Sequence, residues 1–148
     1  MEASQAEVAK VHRLVALEPD SVAGNWNLAE ALNAAGRPAE ALAAVKEGIR
    51  LDPSRAKMFM APQGWADSQL GRWQQAISIL ERAWIAKNLW PHVCLAVDYV
   101  ELGRDDAARA EVAEILRLDP QFSSKIGSAA FLADRERAVA DLRKAGLN

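Results

Sequence analysis

Histidine could provide an imidazole base and cysteine a thiol nucleophile. This 148-residue chain contains two histidines and one cysteine. His12 and His92 are far apart in the sequence, and neither has a cysteine or an acid at the spacing of metal ligands. Cys94 lies between Val93 and Leu95, and only His92 could lower the pKa of its thiol from within one helical turn. These features predict a partly buried structural histidine, a cysteine that packs as a small apolar residue, and no metal site.

Longer enzyme motifs are missing from the sequence as well. It has no glycine-rich phosphate loop, no Gly-x-Ser-x-Gly turn and no His-Glu-x-x-His helix. Between residues 101 and 117 acids are interspersed with arginines, which is typical of a solvated helix face and not of a calcium loop. The sequence therefore predicts a protein that is not an enzyme and needs no cofactor.

Charge and composition limit the partners and the location. With 18 Lys and Arg against 20 Asp and Glu, the net charge of −2 gives no electrostatic attraction for nucleic acid or an anionic membrane. No apolar run approaches the roughly 18 residues of a membrane-spanning helix. The N-terminal segment holds charged side chains where a signal peptide would be apolar, and a single cysteine cannot form an intramolecular disulfide. We therefore expect a cytoplasmic protein that binds neither nucleic acid nor membrane.

The elements that would position a binding site repeat along the chain. Gly36, Gly71 and Gly103 each precede an arginine, and these glycines lie 35 and then 32 residues apart. Each is followed five residues later by an alanine, and the first and third units close with Leu-Asp-Pro at residues 51–53 and 118–120. Apolar residues recur at helical spacing on both sides of each glycine. Each glycine is therefore predicted to end one amphipathic helix in a left-handed conformation, with small residues letting paired helices approach closely.

This pattern resembles the tetratricopeptide repeat, a helix–turn–helix unit of 34 residues. The resemblance implies an all-α fold, a right-handed helix–turn–helix solenoid with a closing helix at its C-terminal end. The predicted array covers residues 1–122, with the second helix of an incomplete repeat at 3–18 and three repeats at about 22–55, 57–90 and 89–122. Residues 123–148 are predicted to form a linker and a capping helix at about 132–144, with Asp134 as its N-cap and Gly146 as its stop.

The end of the chain carries a second resemblance. It reads LAVDYVELGRDDAARAEVAEILRLDPQFS and, after a spacer, ADRERAVADLRKAGL, which is similar to the C-terminal repeats of bacterial class III adenylate cyclase-like proteins. The resemblance implies a bacterial chain that forms the regulatory or scaffolding end of a cyclase-like signalling protein. Where that family often has Pro-Phe-x-Asp-Pro before its last helix, this chain has Ala-Phe-Leu-Ala-Asp at residues 130–134. No catalytic or metal-binding residue of a cyclase can be assigned to any position.

The repeat register predicts where a partner would bind. In a tetratricopeptide solenoid the second, fifth, ninth and twelfth residues of each repeat face the concave side, and here these positions include three of the five tryptophans. Aromatic rings bury a large area at low entropic cost, so such a groove is typical of a binding surface. The alternative is that the rings pack as core against the tail or the next repeat. The predicted groove consists of Trp26, Glu30, Asn33, Met58, Trp65, Ser68, Trp90, Val93 and Val97.

The second repeat departs from the pattern. Pro62 falls within its first helix, and Gln63 and Asp67 replace the leucines and tyrosine of the other repeats. We expect the helix to begin at Pro62, since proline is tolerated in a first turn. The alternatives are a register slip that turns Gln63 and Asp67 outward, and a polar pocket built from these two residues and Trp65.

Two functions agree with these features. The first is a protein–protein interaction module or scaffold that binds a peptide or protein partner in the concave groove. The second is a structural self-association unit, a homodimer or larger homo-oligomer, formed through the tryptophan-bearing face or through the N-terminal helix.

Overall fold

The computed structural model describes residues 2–83, 88–125 and 135–148, and within these ranges the chain is helical with no strand. This confirms the predicted all-α fold. A 3₁₀ helix at Pro53–Phe59 precedes the fourth α-helix. The α-helices are α1 (Glu2–Leu17), α2 (Val22–Ala34), α3 (Pro38–Leu51), α4 (Met60–Gln69), α5 (Trp73–Leu80), α6 (Leu89–Glu101), α7 (Asp105–Leu118), α8 (Phe122–Lys125) and α9 (Arg135–Lys144). None of these helices is long and apolar enough to cross a membrane.

The predicted glycine turns join the helices of each pair, α2 to α3, α4 to α5 and α6 to α7. Gly36, Gly71 and Gly103 have φ angles of 71°, 74° and 72°, a left-handed conformation that favours glycine. The arginine after each glycine donates its N–H to a carbonyl five residues earlier in the ending helix, at 2.8, 2.9 and 2.8 Å. This hydrogen bond closes a Schellman motif and satisfies a carbonyl that the helix end leaves free. Gly146 ends α9 in the same way.

Small residues let the paired helices pack closely. Ala41, Ala76 and Ala108 have no exposed surface, as the register predicted. Gly64 of α4 is a close-approach position, since a Cβ there would lie 2.5 Å from the Leu80 side chain of α5. A larger residue at any of these four positions would force the pair apart.

Proline and aspartate shape the entry to the second pair. Asp52 is extended, with φ of −148°, as expected before a proline. Its carboxylate accepts a hydrogen bond from the Ser54 N–H at 3.1 Å and starts the 3₁₀ helix. The α-helix α4 then begins at Met60, so Pro62 lies in its first turn. The predicted late helix start is therefore correct to within two residues.

The buried residues form two apolar clusters along the array. The first joins the inner face of α1, through Val8 and Val11, to α2, α3 and Phe59. The second surrounds α6, whose residues 91–100 are all buried, and extends to Ala138 and Leu142 of α9. The tail helix therefore covers the last repeat pair. The predicted N-cap Asp134 and residues 130–133 lie outside the described residues, and the division into an array and a tail stays a prediction.

Candidate partner-binding site

Two of the three predicted groove tryptophans come together between α4 and α6. The rings of Trp65 and Trp90 are stacked, with centroids 6.4 Å apart and planes 9° from parallel. Trp90 also contacts Phe122 edge to face at 6.4 Å and 72°. Trp65 is buried in the core and Trp90 is half-buried. The tryptophan pair therefore belongs to the core and also reaches an open surface. The two alternatives from the sequence, a binding groove and core packing, each describe part of its environment.

That surface is a cavity of about 540 Å³ between the first two helices and the tryptophan pair. Helices α1 and α2 supply most of its described lining residues, and Trp65 and Trp90 supply the others. The cavity is open to solvent and mostly apolar. The described residues that line it are Glu7, Lys10, Val11, Leu14, Gly24, Asn27, Glu30, Ala31, Ala34, Trp65 and Trp90.

Glu30 is a half-buried acidic residue that lines this cavity. Burial raises the pKa of its carboxyl to about 7, because removal from water disfavours the charged form. Within the described part of the chain no hydrogen bond or ion pair is made by the Glu30 side chain. Glu7 and Lys10 also line the cavity but are exposed on α1 at its mouth. The cavity therefore combines the aromatic surface of two tryptophans with an acid, Glu30, whose side chain has no hydrogen-bond or ion-pair partner among the described residues.

Trp26 and Met58 lie at a different cavity. The Trp26 indole N–H donates a hydrogen bond to the Met58 carbonyl at 2.9 Å and so ties α2 to the 3₁₀ helix. Both side chains are half-buried and line a cavity of about 660 Å³ that shares no described residue with the first. The predicted groove residues are thus distributed over two cavities instead of one continuous groove.

Four residues of the predicted groove are buried between helices. Asn33 donates its side-chain N–H to the Pro62 carbonyl at 2.9 Å and links α2 to α4. Ser68 donates its hydroxyl to the Asp98 carboxyl at 2.9 Å. Val93 and Val97 have at most 3% of their surface exposed. In this conformation these four side chains contact the chain itself, so they support the walls of the site and do not line it.

A buried polar cluster between α4 and α6 was missed by the sequence reasoning. Asp98 has no exposed surface, one of its carboxyl oxygens accepts from Ser68, and the other has no partner among the described residues. Burial raises the pKa of Asp98 to about 8. Cys94 is buried beside it, and burial, with a further contribution from the Asp98 charge, raises the pKa of the thiol. The available signal was an aspartate within the apolar run of residues 93–100.

His92 is buried, where the sequence predicted a partly buried histidine. It is buried near the start of α6, and its Nδ1 lies 2.6 Å from a carboxylate oxygen of Glu111 on α7. Its Nε2 is buried with no partner in the described ranges. A buried imidazole and a thiol of raised pKa do not provide an accessible base and nucleophile. Among the described residues there is no group of three or more potential metal ligands.

The polar residues of the second repeat form a pocket without the tryptophan. Gln63 and Asp67 line a cavity of about 370 Å³ between α3, α4 and α5. Asp67 is buried beside Arg72 at 3.5 Å, and burial raises its pKa while the arginine lowers it in part. Trp65 lines the other cavity, so the three residues of this alternative do not meet in one pocket in this structure.

Comparisons with known proteins agree with the repeat assignment. The sequence profile of the tetratricopeptide repeat matches residues 23–47, which include the first glycine turn. Among solved structures, the chain is similar to one titled "Crystal structure of MamA", with 24% identity, a TM-score of 0.59, and coverage of 93% of this chain and 84% of that one. No curated protein matches the sequence. The similarity of the tail to cyclase-like proteins gains no support and stays a prediction. The profile match and the structural similarity together support a tetratricopeptide-type protein, and the chain has the all-α helix–turn–helix solenoid fold.

Proposed function

We propose that the chain is a protein–protein interaction module that binds a peptide segment of its partner in the cavity between α1, α2 and the Trp65–Trp90 pair. The tetratricopeptide-type fold supports a role in protein binding in general. The observation that carries the specific proposal is an open cavity of about 540 Å³ whose lining includes two stacked tryptophan rings.

The dimensions and the walls of this cavity suit a side chain of a partner better than a whole domain. Cavities of this volume bury most of a small group, and apolar walls with a few polar atoms fix its orientation. Tryptophan rings are common anchors of protein interfaces because they offer a large rigid contact area. Trp90 is half-buried and stacked on Trp65, so its ring is held in place before the partner arrives.

A substitution that fills the cavity tests this proposal directly. Asn27 is exposed on α2 at the cavity, so Asn27→Trp adds bulk at the mouth without disturbing the core. A displayed library of random peptides is selected on the wild-type chain, and the affinity of the selected peptides is measured by fluorescence anisotropy. We expect Asn27→Trp and Trp90→Ala to weaken binding by at least about tenfold, since one lost aromatic anchor commonly costs 2 kcal/mol or more.

The matched control is Ala113→Trp, which adds the same ring to an exposed position on α7 outside the cavity. It is expected to leave the affinity within about twofold, because the added ring touches no part of the site. If both Asn27→Trp and Trp90→Ala leave the affinity for the selected peptides unchanged, the binding surface lies elsewhere and the proposal is refuted. Trp65→Ala is a poor test, because Trp65 is buried and its loss would leave a core void.

Self-association is a second candidate function, and two exposed leucines near the C-terminal end of α1 favour it. Leu17 is 79% exposed, and Leu14, which also lines the first cavity, is 54% exposed, so together they offer apolar surface to a second copy. If α1 joins two copies, light scattering will show a dimer that Leu17→Lys converts to a monomer. A monomer at all concentrations would exclude this function. The cytoplasmic location and the link to a cyclase-like signalling protein stay predictions from the sequence.

A further inference from the structure

The chemistry of the partner's anchor can be inferred from the acid inside the cavity, an inference that rests on the proposed function. Glu30 of α2 lines the same cavity as Trp65 and Trp90. Its carboxyl has no hydrogen bond and no ion pair within the described residues, although it is half-buried. A half-buried acid without a partner is costly when charged, and a bound cation would remove that cost.

The aromatic end of the cavity favours the same kind of ligand. The faces of tryptophan rings carry negative electrostatic potential and attract cations more strongly than other aromatic rings do. An anionic anchor would meet Glu30 and Glu7, and among the described lining residues Lys10 alone would attract it. A purely apolar anchor would cover Glu30 and leave it without water or a partner. We infer that the bound segment inserts a cationic side chain, lysine or arginine, between the Glu30 carboxylate and the Trp65–Trp90 pair.

The charged groups around Glu30 agree with this inference. From α1, Glu7 and Lys10 line the cavity at its mouth and carry opposite charges. From α4, the lining residue is Trp65, which has no charge. From α6, Cys94 is close enough for the Glu30 charge to make a small contribution to the raised pKa of its thiol, after burial and Asp98. The deep part of the cavity is therefore acidic whenever Glu30 is ionised.

Cation binding must then be linked to the ionisation of Glu30. The pKa of the free carboxyl is about 7, and a bound cation lowers it because the cation stabilises the carboxylate. The guanidinium of arginine stays charged throughout the neutral range. The affinity for an arginine-containing peptide should therefore rise by several-fold between about pH 6 and pH 8, as the fraction of ionised Glu30 rises from roughly a tenth to roughly nine tenths.

The experiment uses the full chain and the peptides selected from the displayed random library. We expect the selected peptides to share one basic position. Replacing that residue by an uncharged analogue of the same size, citrulline for arginine or norleucine for lysine, should weaken binding about tenfold, and Glu30→Gln should do the same. Glu30→Gln should also remove the pH dependence. Glutamine has nearly the same shape and Glu30 has no ion pair with the described residues, so circular dichroism should show an unchanged fold.

Two further variants separate a specific contact from general charge. Glu136→Gln removes the same charge at an exposed position on α9 outside the cavity and should change affinity by less than about twofold. Lys10→Gln removes the competing cation and should strengthen binding slightly. Peptides that depend on Trp90 but have no basic position, and that bind Glu30→Gln equally well, would overturn this inference and leave the proposed function intact. If the affinity for the peptides is unchanged by Asn27→Trp and Trp90→Ala, both this inference and the proposed function are overturned.

Discussion

Asp98 lies in the C-terminal half of α6 with no exposed surface, and its burial predicts a pH-dependent stability that can be measured. The Ser68 hydroxyl donates to one carboxyl oxygen at 2.9 Å, and the other oxygen is buried without a partner in the described residues. Burial raises the pKa of Asp98 to about 8. The group is therefore protonated in the folded chain at neutral pH, whereas it is ionised in the unfolded chain, where the pKa is about 3.9.

The sign of the effect follows from this difference. The folded state binds the proton more tightly than the unfolded state, so the stability that depends on Asp98 is complete below about pH 4 and is lost as the pH rises to about 8. Each pH unit in this window costs about 1.4 kcal/mol. Between pH 5 and pH 8 the unfolding free energy should therefore fall by as much as about 4 kcal/mol because of this one group.

Asp98→Asn removes the titration and keeps the shape of the side chain. The asparagine oxygen can still accept from Ser68, while its amide leaves N–H groups buried, at a cost of about 1–3 kcal/mol that does not change with pH. The difference in unfolding free energy between the variant and the wild type should shift by several kcal/mol in favour of the variant from pH 5 to pH 8. Urea titrations followed by circular dichroism at these two pH values measure this shift.

Titration of the other buried acids cannot produce this difference between the variant and the wild type. Burial raises the pKa of both Glu30 and Asp141 to about 7, and for Asp141 the neighbouring Glu101 adds to it. These groups titrate in the same direction, but they are present in both proteins and cancel in the difference. The control is Asp20→Asn, at an exposed position between α1 and α2. A difference for Asp98→Asn that is the same at both pH values would refute the reasoning.

Two further predictions test the packing. Ala76→Leu or Ala108→Leu should lower the unfolding free energy by about 1–3 kcal/mol, because each alanine is fully buried at a helix crossing, whereas the exposed Ser78→Leu should cost little; equal thermal melts for both classes would contradict the repeat register. Deleting residues 1–18 should uncover the apolar face of α2 and reduce solubility, and a monomeric truncated chain with an unchanged melting temperature would show that α1 is not integral.

The turns and helix pairs could be predicted because their causes are local. Gly36, Gly71 and Gly103 have positive φ angles, and a residue with a Cβ is strained in that conformation. Leu-Asp-Pro ends a helix because the residue before proline disfavours the helical conformation, and Asp52 and Asp119 are both extended. Such signals need only a few consecutive residues, so one sequence contains all of them.

The site could be predicted only in part because its geometry depends on contacts between repeats. The register placed Trp65 and Trp90 on the same face, and they do stack. It could not show that Ser68 would be buried against Asp98, since that contact joins residues 30 apart in the sequence. Nor could it separate Trp26 from the other rings, because the hydrogen bond to Met58 fixes the indole at a second cavity.

The first helix of each of the three repeat pairs carries an acid whose pKa is raised by burial. The three acids differ in their ion-pair and hydrogen-bond partners. Asp67 on α4 has Arg72 at 3.5 Å, and Asp98 on α6 has the Ser68 hydroxyl at 2.9 Å. Glu30 on α2 has neither an ion pair nor a hydrogen bond from the described residues, and it is the one of the three that lines the cavity with the tryptophan pair. A buried acid that has at least one partner within the chain can be explained by folding alone. Glu30 is not explained in this way, and a cationic side chain of a partner would supply the contact that the chain itself does not.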